Sequence, residues 1–161
     1  MKRNTGLPLL LFFLAFTWAL PAQEKKQYQL GMVGFYNLEN LFDTIDDPNT
    51  DDHEFLPDGS YAWSGVKYRN KLHNLATVIA AIGQGVGGVR LQCPDVLGVS
   101  EVENRQVLED LVNQPELKPY GFGVVHYDGP DRRGVDVGLL YKKDKFTLLG
   151  SRSVRLYDSV N

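Results

Sequence analysis

Disulfides are the first thing this sequence lacks. Cys93 is the single cysteine, so no internal cross-link can hold the chain, and its stability must come from a packed core. Beside Pro94 and ahead of an apolar run, Cys93 reads as a small core residue; no activating neighbour marks it as a nucleophile. An excess of positive charge is also missing, with 17 Lys and Arg against 20 Asp and Glu and a formal charge of −3. Proteins that hold nucleic acid mainly by counterion release are usually basic. Charge therefore does not point to DNA, though a bound divalent cation can supply what side chains do not. Histidine is scarce, at three residues. Internal repeats and low-complexity blocks are absent.

No apolar stretch reaches the ~20 residues that a spanning helix needs. The longest runs from Leu7 to Leu20, broken only by Pro8 and Thr17, with Lys2 and Arg3 before it and Pro21-Ala22 after it. A basic start, a short apolar middle and a small-residue junction are the parts of a secretory signal peptide. Residues 1–22 are expected to be that peptide rather than an anchor. The protein is then exported, periplasmic or secreted, with no membrane span after cleavage. The whole sequence, at 161 residues, 43% hydrophobic and 23% charged, has the length and composition of one soluble globular domain.

The exported part reads as alternating elements. A strand is predicted over about residues 32–40, an acidic loop over 43–64 and a helix over 66–82. In that helix Tyr68, Leu72, Leu75, Ile79 and Ile82 recur at spacings of four and three, with Ser64 as cap and Gly83 as stop. A glycine-rich connection, 83–88, leads to a second strand at 95–101 and a short helix carrying Leu108, Leu111 and Val112. Strands at 122–127 and 135–141 flank a turn-rich loop, and a last pair is predicted at 145–149 and 153–157. This order implies an α/β (α+β) layer, a mixed sheet with helices on one face. Val33, Phe35, Leu97 and Val99 are expected to share a sheet face that needs covering. The helices can cover one side only, so the other side calls for a further layer.

Side chains alternate along a strand, which groups Val33, Phe35, Asn37 and Glu39, and likewise Leu97, Val99 and Glu101. Both series pass from apolar to oxygen-bearing residues at the C-terminal end of the strand, where α/β sheets gather ligands. A buried carboxylate is costly unless paired or metal-bound. Asn and Glu offer the hard oxygens that Mg²⁺ takes, with waters and phosphate completing its shell. On pattern alone Glu101 reads equally well as a solvated strand end, and Asn37 more readily as a turn residue. Arg132 and Arg133, in a Gly/Pro loop, suit either bidentate phosphate contact or a solvated turn, with Arg133 favoured because it abuts a strand. Asp136, inside an apolar strand, reads as structural with a hydrogen-bond or Arg partner. His126 reads as a packed strand histidine and His73 as helix surface. In the acidic loop Asp47, Asn49, Asp51 and Asp58 fall at EF-hand offsets. Asp52 stands where that loop needs Gly, however, and Pro48 lies inside, so a surface loop near a cleft rim is expected.

Gly34-Phe35-Tyr36-Asn37-Leu38-Glu39-Asn40-Leu41-Phe42 resembles the first motif of the endonuclease/exonuclease/phosphatase (DNase I-like) family. Pro94-Asp95-Val96-Leu97-Gly98-Val99-Ser100-Glu101-Val102-Glu103 resembles its second motif. Asp131-Arg132-Arg133-Gly134-Val135-Asp136-Val137-Gly138-Leu139-Leu140-Tyr141 resembles a third, a loop entering a strand beside the substrate. Three matches in the right order are specific together. The resemblance implies one half of a four-layer α/β/β/α sandwich, with Glu101 and Asn37 binding Mg²⁺ (or Mn²⁺) and Glu39 a second-site ligand. It implies a metal-dependent phosphodiester hydrolase whose substrate is a nucleic acid, a nucleotide or a lipid head group. No protein partner is readable.

The family's catalytic His, its Asp-x-Asn pair and its terminal Asp-His pair do not appear among these residues. Residues 23–161 are accordingly expected to be a truncated, N-terminal part of such a domain, inactive alone. The alternatives are a non-catalytic binding remnant and a gene fragment without a function of its own.

Overall fold

A computed structural model of the chain describes residues 30–84 and 93–154. The signal-peptide expectation for residues 1–22, most of the glycine-rich connection and the end of the last predicted strand lie outside the described residues.

Strand β1 (Val33–Leu41), helix α1 (Gly65–Ala81), strand β2 (Val96–Val102), helix α2 (Arg105–Val112), strand β3 (Phe122–His126) and strand β4 (Asp136–Lys142) follow in that order. They build one four-stranded mixed sheet in the order β1-β2-β4-β3. β1 and β2 are parallel, and β4 is antiparallel to both of its neighbours. A parallel pair needs a crossover, which α1 supplies.

Both helices start on a side-chain cap. The Ser64 hydroxyl accepts from the Lys67 amide at 3.4 Å, and the Asn104 side chain accepts from the Val107 amide at 3.0 Å. Each cap satisfies an amide that the first turn leaves without a partner. Leu72, Leu75, Ala76 and Ile79 of α1 are buried, as are Val107, Leu108, Leu111 and Val112 of α2. They pack with Leu97, Val99, Val124 and Leu140 of the sheet. Each Leu, Ile or Val among them contributes roughly 1.5–3 kcal/mol on burial. The predicted α1 stripe is the one that faces the sheet, with Tyr68 and Ile82 at its margin.

The register corrects the expected composition of the sheet faces. Residues paired across adjacent strands share a face, and Leu97 pairs with Gly34, Val99 with Tyr36 and Gly98 with Phe35. Leu97 and Val99 thus lie under the helices, and Val33 and Phe35 lie on the opposite face. Gly98 makes room there for the Phe35 ring, since a Cβ at Gly98 would stand 3.0 Å from Phe35 Cδ2. Val33, Phe35, Val137 and Leu139 are exposed, so this second face is apolar and open among the described residues.

A second correction concerns residues 145–149, predicted as a strand. The chain turns after Lys142 and continues without regular structure. Phe146, Leu148 and Leu149 are exposed; alternating apolar residues without a neighbouring strand edge have nothing to pair with. Of its expected partner, residues 153–154 are likewise irregular.

Opposite ends of the sheet differ in chemistry. Where β1 and β2 begin, buried Asp95 accepts from Lys142 Nζ at 2.9 Å, from Lys145 Nζ at 2.8 Å and from the Met32 amide at 3.0 Å. Burial alone would raise the Asp95 pKa, but these donors outweigh it and hold the carboxyl at about 2. The site described next lies where the two strands end.

Candidate functional site

Regular pleating would keep Asn37 and Glu101 apart. Asn37 pairs with Ser100, which puts both on the open face and sends the next side chain, Glu101, toward the helices. Two irregularities reverse this. Glu101 adopts a left-handed backbone at φ 57°, and the register slips between Ser100 and Val102. In β1 Glu39 (φ 53°) and Asn40 (φ 60°) do the same. Apolar burial supplies the reason. Leu38 and Leu41, and likewise Val99 and Val102, are all 0% exposed, although three positions apart in a strand cannot normally mean the same face. Left-handed residues between them restore both to the core and turn the polar residues outward. Non-glycine residues pay of order 1–2 kcal/mol for this conformation, and such strain gathers at functional sites.

The bulges bring the two motifs together. Asn37 Nδ2 donates to Glu101 Oε1 at 2.8 Å, and the Asn40 amide donates to Glu101 Oε2 at 3.1 Å. Asn37 Oδ1 accepts from the Glu39 amide at 2.7 Å. Glu101 also lines a cavity of about 440 Å³ with Ser100, Asp131, Asp136 and Val137. Glu39 is exposed and lines a different cavity with Trp63 and Lys71. Its side chain is thus set apart from the space that Glu101 faces.

Arg133 and Arg132 diverge. Arg133 folds onto Asp131, its amide donating at 2.8 Å and its guanidinium at 3.3 Å. Hydrogen bonding to Asp131 raises the Arg133 pKa first, and the Glu101 charge adds to it, so its cation lies within the field of Glu101. Arg132 turns away to Asp51, at 3.4 Å.

One cation was not anticipated from the sequence. The Lys71 ammonium donates to the Glu39 carbonyl and lies 5.7 Å from the centre of the Trp63 ring. Burial lowers its pKa, and the Glu39 and Glu101 carboxylates partly offset that shift. The signal available was its place beside Leu72 on the buried edge of the helix. Glu103, quoted only as the end of a motif, is buried and accepts from the Asp43 amide at 2.6 Å. Burial, with Asp43, Asp52 and Asp47 adding repulsion, pushes its carboxyl up to about 7.

Asp136 is buried, accepts from the Gly129 amide at 2.6 Å and lies 3.2 Å from His126 Nε2. Gly129 is required there, because a Cβ would come 2.5 Å from Asp136 Oδ1. His126 is packed on the helix side, next to Gly138 in register. The other histidines are engaged elsewhere, His73 with Glu116 at 2.8 Å and His53 with Asp46 at 3.4 Å.

Comparisons with curated proteins and with solved structures gave no match. One sequence profile does match, over residues 32–161, and its description is Endonuclease/Exonuclease/phosphatase family.

Proposed function

Since the chain belongs to the endonuclease/exonuclease/phosphatase family, we propose that it carries the metal-binding end of an Mg²⁺-dependent phosphodiester hydrolase site, with Glu101 and Asn37 as ligands. Family membership supports hydrolysis of phosphodiesters and use of a divalent metal. The observation that carries the assignment is the 2.8 Å contact between the Asn37 and Glu101 side chains. That is close to the separation of about 2.9 Å between neighbouring ligands around a cation bound at 2.0–2.1 Å. An amide turned end for end, at the cost of the bond that Oδ1 accepts from the Glu39 amide, would offer oxygen where Nδ2 now stands, and carboxylate and amide oxygens are donors that suit the ion.

When bound, the metal supplies charge stabilisation at the phosphate and an acidified water. The chain's own residues do the rest of what can be assigned. Glu101 and Asn37 would hold the cation, with the Glu101 carboxylate oriented by the Asn40 amide. Arg133, once released from Asp131, suits bidentate contact with a phosphate; Arg132, held by Asp51, positions the loop. Glu39 would be the ligand of a second ion in this reading. Among the described residues each of the three histidines is paired with an acidic residue other than Glu101: His126 with Asp136, His73 with Glu116 and His53 with Asp46. In this reading phosphate esters bind to the chain without being turned over. Export through residues 1–22 belongs to the same proposal, and no helix among the described residues is long and apolar enough to cross a membrane.

A single assay tests the reading. The chain is expected to bind a nucleoside monophosphate only when Mg²⁺ is present, with Arg133→Ala weakening binding and with no hydrolysis of an aryl phosphodiester. Metal-independent binding would overturn the site, and Mg²⁺-dependent turnover would overturn the claim of inactivity.

A further inference from the structure

The acidic loop between β1 and α1 contains a cluster that the site above does not use. Asp46 Oδ1 lies 3.4 Å from His53 Nδ1, and Asp52 Oδ1 lies 4.0 Å from the same nitrogen. One ligand atom from each of the three residues lies within 4.8 Å of the other two. Among the described residues, the ion-pair contacts of Asp46 and Asp52 are to His53 alone.

Asp52 is the unusual member. It is 1% exposed. Its Oδ2 accepts from the Asp47 amide at 3.2 Å, but Oδ1 is buried with no hydrogen-bond partner. A buried carboxylate oxygen facing no donor is costly, and this one points at the imidazole and the second carboxylate. Nothing in the packing of the loop explains it. Phe42 and Phe55 stack at 4.1 Å and Trp63 Nε1 donates to the Phe42 carbonyl at 2.9 Å; these hold the loop without involving Asp52 Oδ1.

We propose that Asp46, Asp52 and His53 form a second, separate divalent-metal site that takes a transition ion of the Zn²⁺ class. One imidazole with two carboxylates suits Zn²⁺ better than Ca²⁺, which takes an all-oxygen shell. Ligands about 2.0–2.1 Å from a tetrahedral ion stand about 3.4 Å apart, which is the Asp46–His53 distance. The Asp52 oxygen, 4.0 Å from the same nitrogen, needs to close by about 0.6 Å. A water would complete the shell, as in sites with three protein ligands. The loop failed as an EF-hand because Asp52 replaces the required Gly. At this site Asp52 is the central ligand.

Calorimetric titration of the full chain carrying Glu101→Gln with Zn²⁺ tests this independently of the phosphodiester site. One Zn²⁺ is expected to bind, with the His53 imidazole resonances moving in step. Even the outer partners of a metal site are worth about 10–100-fold in affinity, so adding His53→Ala is expected to weaken binding at least tenfold. His53 is exposed, so circular dichroism should show that variant folded; Asp52→Asn provides the second check. No Zn²⁺ binding to Glu101→Gln, or binding that both loop variants leave unchanged, would overturn the proposal.

Discussion

Asn37 and Glu101 stand 64 positions apart in the chain, yet the amide of one donates to the carboxylate of the other at 2.8 Å. Strand pairing alone does not achieve this, because the register puts Ser100 and not Glu101 opposite Asn37. Left-handed backbone at Glu39, Asn40 and Glu101 does. The same residues keep Leu41 and Val102 in the core, so site and core share one distortion.

That distortion has a measurable cost. Releasing the left-handed strain at Glu39 recovers about 1–2 kcal/mol, against roughly 0.5–1 kcal/mol of added chain entropy for glycine. Glu39→Gly is therefore expected to stabilise the fold by about 0.5–1 kcal/mol in urea unfolding. Ser100→Gly, at a regularly paired position, is expected to destabilise it by a similar amount. Equal losses for both variants would contradict the backbone assignment.

Helix packing on the sheet can be probed at Gly138. A Cβ there would stand 2.6 Å from Leu108 Cδ1 and 3.2 Å from Val99 Cγ2, and both side chains are fully buried. Gly138→Ala is expected to cost about 1–3 kcal/mol by overpacking, read as a lowered urea midpoint. A neutral result would mean that α2 does not sit tightly on β4.

Strong acid should weaken the other end of the sheet. Asp95 titrates at about 2 in the fold, below the ordinary Asp value of about 3.9. The folded state binds this proton less readily than the unfolded one, so its contribution of about 2 kcal/mol is present above pH about 4. It is lost as the pH falls from about 4 through 2. Stability measured across that range is expected to drop in the native chain and to be flatter in Asp95→Asn. Parallel profiles would contradict the Asp95–Lys142 pairing.

Much of this could be read in advance, for physical reasons that differ by element. Leu72, Leu75 and Ile79 carry helical spacing, and Ser64 an N-cap, so α1 was legible to within a residue. The three motifs pointed to the family and to strands β1, β2 and β4. Sheet register was not legible, since nothing local says that Phe35 meets Gly98, and the grouping of Val33 and Phe35 with Leu97 and Val99 failed there. Nor was the bulge at Glu101 anticipated. Its signal was present, however, in apolar residues three apart, Leu38 with Leu41 and Val99 with Val102, where a strand permits two or four. Residues 145–149 misled because alternation reports a half-buried strand only when another strand edge is there to receive it. Lys71 carries only a weak signal, its place beside Leu72, because helical spacing does not show that β1 will partly bury it.

The grip of Asn37 and Glu101 on one divalent cation is tested most directly by Mn²⁺ titration of the chain and of Glu101→Gln, followed by the paramagnetic signal of free Mn²⁺. The native chain is expected to bind Mn²⁺ in competition with Mg²⁺. Glu101→Gln is expected to retain its circular dichroism spectrum and to lose that binding at least tenfold, in line with the cost of disturbing even the outer partners of a metal site. Undiminished Mg²⁺-competitive binding in a folded Glu101→Gln protein would contradict the account.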